Sequence, residues 1–322
     1  MPQAINTELL RDIVTGTAIT CCIVAVSLMM PIAGFFISLL IPLPVLFYRA
    51  KLGRKNGIII PVLTAGILTV TVGRLSLDVF FLLEMMVLGL ILFELFEKEL
   101  SIEKTVGYTC IAIVGISLAA MLVYSGYTNI GLIDLVTRYV VKNLELTISW
   151  YENIGVSDEQ ISIIKQSFNG LQFFLVRILP ALIFVSALFV TWTNMVISRP
   201  VLKAKSLFYP DFGSLNQWKS PEKLIWGVIG TGFLLLIGGS SIKMIGMNGL
   251  FILLAVYFFH GIAVVSFFFE KKNIPRIVRI ILYAFLAVQQ ILWLFVIGLG
   301  LFDLWLDFRK LNPPEIENKN PK

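Results

Sequence analysis

Charge, histidine and cysteine are what this sequence has least of. Of its 322 residues only 14% are charged, one is histidine and three are cysteine. A soluble domain carries about 25% charged residues, so a water-soluble core is excluded, and so is disorder, which requires high charge and low hydrophobicity. A single histidine removes most His-based metal sites. Cys21, Cys22 and Cys110 fall inside apolar runs without C-x-x-C spacing, which excludes a disulfide scaffold and leaves small, reduced packing residues. H-E-x-x-H, G-x-S-x-G and a Gly-rich loop ending in Lys-Ser/Thr are all missing. The expectation is therefore no enzyme, no catalytic residues, no cofactor and no metal. The net charge of +6 does not imply nucleic acid, because polytopic membrane proteins gather Lys and Arg in cytoplasmic loops.

What the sequence has is hydrocarbon: 57% hydrophobic residues and a mean hydropathy of +0.88. A membrane helix needs roughly 20 largely apolar residues. Nine stretches qualify: 13–30, 33–49, 57–74, 77–96, 105–125, 171–198, 224–242, 249–269 and 277–303. Pro31 separates the first two and Pro42 and Pro44 interrupt the second, so the pair reads either as a tight hairpin or as one broken element, and the count is nine or eight. No cleavable signal pattern precedes the first run. The predicted fold is all-α, a polytopic transmembrane helix bundle in the lipid bilayer.

With nine spans and a cytoplasmic N-terminus, one side collects sixteen basic residues and the other nine, with Arg177 inside a span. That asymmetry fits the positive-inside rule. The same arrangement places Arg309, Lys310, Lys319 and Lys322 of the tail outside. The chain then divides into a six-span core, 1–198, a cytoplasmic loop, 199–223, three further spans, 224–310, and a polar tail, 311–322. An insertion at 126–170 lies on the extracytoplasmic side. Leu132, Val136, Tyr139 and Val140 recur there at helical spacing, and Ser157 with Gln160 reads as a capping box opening a second short helix. This amphipathic pair either lies on the membrane surface or covers the bundle as a lid.

Polar groups inside the bilayer cost about 2.5–3.5 kcal/mol each on insertion scales. Glu84 and Arg177 lie seven and six residues into their spans, both roughly 9–11 Å below the outer end. They form an ion pair, or Arg177 snorkels to the headgroups, or the two flank an outward pocket in which Arg177 receives a carboxylate or phosphate. His260 is near the middle of the eighth span and Gln289 and Gln290 near the middle of the ninth, so an interhelical hydrogen bond between them is expected. No acidic partner for a proton relay is evident at that depth. Asp303, Trp305, Asp307 and Arg309 close the last span as an interface anchor. No third ligand joins the two aspartates to make a metal site.

Several of these residues carry a resemblance. Trp192, Asn194 and Arg199 at the end of the sixth span, Trp218 and Pro221 before the seventh, Asn248 and Gly261 of the eighth, and the closing L-G-L-x-D-x-W-x-D-F-R at 299–309 resemble the YybS-like family of bacterial multi-pass membrane proteins. That resemblance implies the bacterial cytoplasmic membrane and no particular chemistry. The short first helix, the proline-bearing second and the Gly53/Gly57 turn are more distantly similar to the substrate-binding membrane subunits of energy-coupling-factor transporters. That similarity implies a six-helix core with an outward pocket for a small molecule and a first helix that docks separate energising subunits. Ala18-x-x-x-Cys22 and Thr17-x-x-x-Cys21-x-x-x-Ala25 supply small residues at the docking spacing without the usual paired alanines. The same spacing serves close packing within one chain. Two functions follow as expectations: recognition or transport of a small solute through the six-span core, or a non-catalytic scaffold that assembles an envelope complex from separate protein subunits.

Overall fold

The computed structural model describes residues 2–73, 77–237 and 239–311. Thirteen α-helices and one 3-10 turn make up this part of the chain, with no strand among the described residues. The helices gather into two compact units, Met1–Asp211 and Phe212–Lys322, divided inside the expected 199–223 loop. The expected polar tail lies outside the described residues, Leu311 excepted.

The first unit contains α1 (Pro2–Met29), α2 (Pro31–Ser38), α3 (Pro42–Gly57), α4 (Ile59–Val72), α5 (Leu77–Phe96), α6 (Ile102–Thr128), α7 (Leu132–Asn153), α8 (Asp158–Gln166) and α9 (Phe168–Lys203). Pro31 and Pro42 each open a helix, at the position where a missing N–H costs nothing. The second expected span is consequently two helices joined by a turn. Its interruption frees the carbonyl of Leu39, which accepts a 2.7 Å hydrogen bond from the buried Asn194 side chain. Helix α5 packs between α3 and α6, and α9 lies against α6, α3 and α5. Val45, Leu46, Met86, Leu88, Leu92, Ile178 and Met195 fill the space between them.

In the second unit a 3-10 turn (Leu215–Gln217) leads to α10 (Leu224–Ile237), α11 (Ser240–Lys271), α12 (Arg276–Val288) and α13 (Ile291–Leu306). Helix α11 packs on both α10 and α13. Gly261 meets Val296 and Gly300 meets Tyr257, so α11 and α13 run antiparallel, and a β-carbon at either glycine would overlap a carbonyl of the opposite helix.

Six helices are long and apolar enough to cross a membrane among the described residues, or seven with α12 and α13 taken together as one bent span. The nine expected stretches correspond to these six, to the bent pair α12–α13 and to the two shorter apolar helices α4 and α10. Helices α4 and α10 have 14 residues each, about 21 Å against a hydrocarbon core of about 30 Å. Gly73, in the left-handed conformation, ends α4. The expected continuous span 277–303 is broken, since α12 and α13 meet at 108° and Gln289 adopts extended backbone at the junction. Helix α12 leaves its apolar face exposed at Ile277, Ile281, Phe285 and Val288, opposite Arg276 and Arg279.

The amphipathic insertion is helical. Leu135, Val136, Val140 and Ile148 of α7 are buried, and α7 packs against α9 and α6. The capping box expected at Ser157 is not formed: Ser157 precedes α8, but its side chain makes no capping hydrogen bond.

Candidate functional site

One set of side chains lines a hollow within the first unit. Phe80 and Glu84 of α5, Ser117 of α6 and Ile183 and Ser186 of α9 recur every three or four residues on facing stripes, and α7 closes the hollow with Tyr139. Its volume is about 160 Å³. An adjoining hollow of about 280 Å³ shares Ser117, Met121, Leu179 and Ile183 with it and takes Leu132, Ile133 and Val136 of α7 as its cover. The lining is apolar apart from a few groups. Ser117 Oγ donates to the Glu84 carboxylate, and the Tyr139 hydroxyl donates to Asp78 Oδ1 at 3.1 Å. Burial, and then the Asp78 charge, push the Tyr139 hydroxyl up to about 12, so it is a neutral donor at ordinary pH. A third hollow of about 200 Å³ adjoins the first at Tyr139 and is lined by Asp78, Tyr124, Arg138 and Lys142.

Glu84 lies in the cavity wall, whereas Arg177 is not among the lining residues. The Arg177 guanidinium lies over the Phe173 ring, 3.2 Å from its centroid, and Nη1 donates to the Phe173 carbonyl at 3.4 Å. Helix α9 has 36 residues, about 54 Å, so it is much longer than the hydrocarbon is thick.

A second polar constellation lies in the second unit and differs from the expected pairing. His260 does not meet Gln289 and Gln290, which are exposed at the break before α13. Its Nε2 lies 3.1 Å from Asp303 Oδ2 and its Nδ1 3.0 Å from Ser220 Oγ. The acidic partner that seemed missing is therefore Asp303, assigned from sequence to an interface anchor. Arg309 completes the group. Its Nε and Nη2 donate to Asp303 Oδ2 at 3.2 and 2.8 Å, Nη2 also lies 2.9 Å from His260 Nε2, and Nη1 donates to the carbonyls of Asn216 and Trp218 at 2.7 and 3.1 Å. His260 Nε2 thus faces a carboxylate oxygen and a guanidinium nitrogen together: protonated it donates to Asp303, unprotonated it accepts from Arg309. Asp303 Oδ1 is buried without a hydrogen-bond partner among the described residues.

Of the four anchor residues, Asp303 and Arg309 are thus interior. Asp307 pairs with Lys219 at 2.8 Å, and Trp305 alone has the exposure of an interface side chain. Trp218, Gly261, Gly300, Asp303 and Arg309 all converge on this locus. The sealed His–Asp–Arg group offers no room for a substrate. Its chemistry is that of a clasp holding the segment before α10 and the end of α13 to α11.

Sequence reasoning missed a third group. Arg49, the last residue of the expected second span, is buried on α3 and bonds Glu94 of α5 and Glu97 just beyond its end at 2.9 Å each, with Phe93 beneath it at 5.3 Å. The available signal was Glu94-x-x-Glu97, two carboxylates on one helix face within an otherwise apolar stretch.

A family model described as "Predicted membrane protein (DUF2232)" matches residues 18–304. Among curated relatives, the "Uncharacterized protein YybS" of Bacillus subtilis (strain 168) is 21% identical over 289 residues, covering 87% of this chain and 90% of the relative. No solved structure matches.

Proposed function

The chain belongs to the DUF2232 family of predicted membrane proteins, and from that premise we propose that it recognises or transports a small, largely apolar solute in the cavity walled by α5, α6, α7 and α9. The observation that carries this reading is the position of α7. An amphipathic helix outside the spans supplies one wall of both main hollows through Tyr139, Leu132, Ile133 and Val136, which is the arrangement of a cover over a site. The Glu84–Ser117 pair supplies the polar feature that orients the ligand. The basic-residue asymmetry supports an opening on the extracytoplasmic face of the bacterial cytoplasmic membrane. Any energy input would come from separate subunits, since a phosphate-binding loop is missing from the sequence.

The test is a ligand-dependent unfolding series on the full chain in detergent, with vitamins, nucleobases, amino acids and medium-chain alcohols as the probes. A ligand at 100 times its Kd stabilises the folded state by about 2.7 kcal/mol. Saturable stabilisation that Ala120→Phe abolishes by filling the hollow, and that Glu84→Ala weakens, is the expected result. A folded protein that no probe stabilises overturns the proposal and favours the non-catalytic scaffold for an envelope complex.

A further inference from the structure

We propose that the solute is an anionic amphiphile, an aliphatic chain ending in a carboxylate or phosphate, with its head between Arg138 and Lys142 and its tail under α7. This inference rests on the solute-recognition reading above and narrows it to one chemical class.

Three hollows form a series with graded polarity. The one bounded by Val114, Leu118, Ile133, Val136 and Val176 is hydrocarbon on nearly every side. The middle one, reached past Ser117 and Met121, contains Glu84, whose carboxylate is engaged by Ser117. No Lys or Arg lines this hollow to receive an anionic head, while a methylene chain fits against its apolar wall. Beyond Tyr139 the third hollow carries Arg138 and Lys142 against the single carboxylate of Asp78. Arg138 and Lys142 are four residues apart on α7, hence on one face of that helix. Both are exposed, and neither forms an ion pair among the described residues. Asp78 Oδ1 is occupied by the Tyr139 hydroxyl, so the net charge offered to a head is positive. From Ile133 to Lys142 the path along α7 is about 14 Å, the reach of an alkyl chain of roughly ten carbons. A neutral solute leaves both cations unused, and a compact anion leaves the larger hollow empty.

The chemistry fits a single-chain amphiphile taken from water or one leg of an anionic phospholipid taken from the bilayer. The experiment uses the full chain in dodecyl maltoside with decyl phosphate, decanol, inorganic phosphate, phosphatidylglycerol and phosphatidylcholine as probes, read by thermal stabilisation and by native mass spectrometry. Decyl phosphate is expected to bind saturably and more tightly than decanol, and inorganic phosphate not at all. The double variant Arg138→Gln/Lys142→Gln weakens decyl phosphate about five- to tenfold and leaves decanol unchanged, as expected for two exposed charge contacts. Added salt weakens only the charged ligand. Ala120→Phe removes site binding without altering partition into the micelle. Displacement of decyl phosphate by phosphatidylglycerol but not phosphatidylcholine identifies the bilayer as the source, and displacement by neither identifies a monomeric amphiphile. Equal binding of decanol and decyl phosphate, or a double variant that preserves their ratio, overturns this inference and leaves solute recognition standing. Binding of no probe at all overturns both.

Discussion

Removing Asp303 should be among the most damaging single changes in the second unit, and the reason can be worked from the hydrogen bonds. Asp303 and Arg309 are 0% exposed at the side chain and 2.8 Å apart. Two of the five guanidinium protons go to Asp303 Oδ2, and Asp303→Ala strands both, together with a full buried positive charge. Breaking a buried pair from one side costs about 3–5 kcal/mol. At about 2 °C per kcal/mol for a chain this size, the apparent unfolding midpoint in detergent falls by roughly 6–10 °C. Arg309→Met should cost a similar amount, because it strands the carboxylate. The double variant Asp303→Ala/Arg309→Met removes both charges together and is expected to recover much of the loss, since replacing a whole buried pair by apolar groups is often near neutral. Thermal unfolding of the four proteins gives the coupling directly as a double-mutant cycle. Additive losses, or a drop below about 1 kcal/mol for Asp303→Ala, would refute the clasp.

Three further outcomes follow from the same structure. Arg49→Met leaves Glu97 without its cation and Glu94 with the exposed Arg54 alone and should destabilise by about 1.5–3 kcal/mol through the lost charged hydrogen bonds, while Glu97→Gln, at a side chain 45% exposed, should cost less than about 1 kcal/mol; unfolding midpoints that rank the two the other way contradict the network. The Tyr139 hydroxyl holds its proton more tightly when folded, so its contribution is complete below about pH 10 and is lost as pH rises toward about 12; Tyr139→Phe should flatten part of that alkaline decline, and an unchanged slope would assign the decline to other groups such as Tyr209, which burial also pushes up to about 12. In a variant lacking Cys21, Cys22 and Cys110, single cysteines at Ile281 and Phe285 should be shielded from a polar thiol reagent in vesicles while cysteines at Arg276 and Arg279 react, because α12 leaves its apolar face without a protein partner; equal labelling would show that face to be in water.

The family of helices was legible in the sequence because hydrocarbon thickness imposes a length and composition that can be counted residue by residue. Pro31 marked the boundary between the first two spans and Pro42 the break in the second, and the periodicity at 132–140 marked an amphipathic helix. Counting failed where the constraint is geometric. Residues 277–303 are apolar apart from Arg279, two glutamines and the closing Asp303, and hydropathy does not record that the axis turns by 108° at those glutamines. The candidate cavity was half visible: Glu84 stood out as a charge in a span, whereas Ser117, Tyr139 and the cations of α7 became its partners only when three helices met.

By itself, then, the sequence determined the solvent of this protein, its helical class and the identity of the polar residues that need partners, because each of those depends on composition and local spacing. Who partners whom was decided by tertiary structure. His260 lies 43 positions from Asp303 and 40 from Ser220, and nothing local favours Asp303 over the glutamines at 289 and 290. The choice comes from the close antiparallel approach of α11 and α13, which Gly261 and Gly300 permit by having no β-carbon. That approach brings one carboxylate, one imidazole and one guanidinium within hydrogen-bonding distance where water is excluded, and there only the mutually satisfying arrangement is stable.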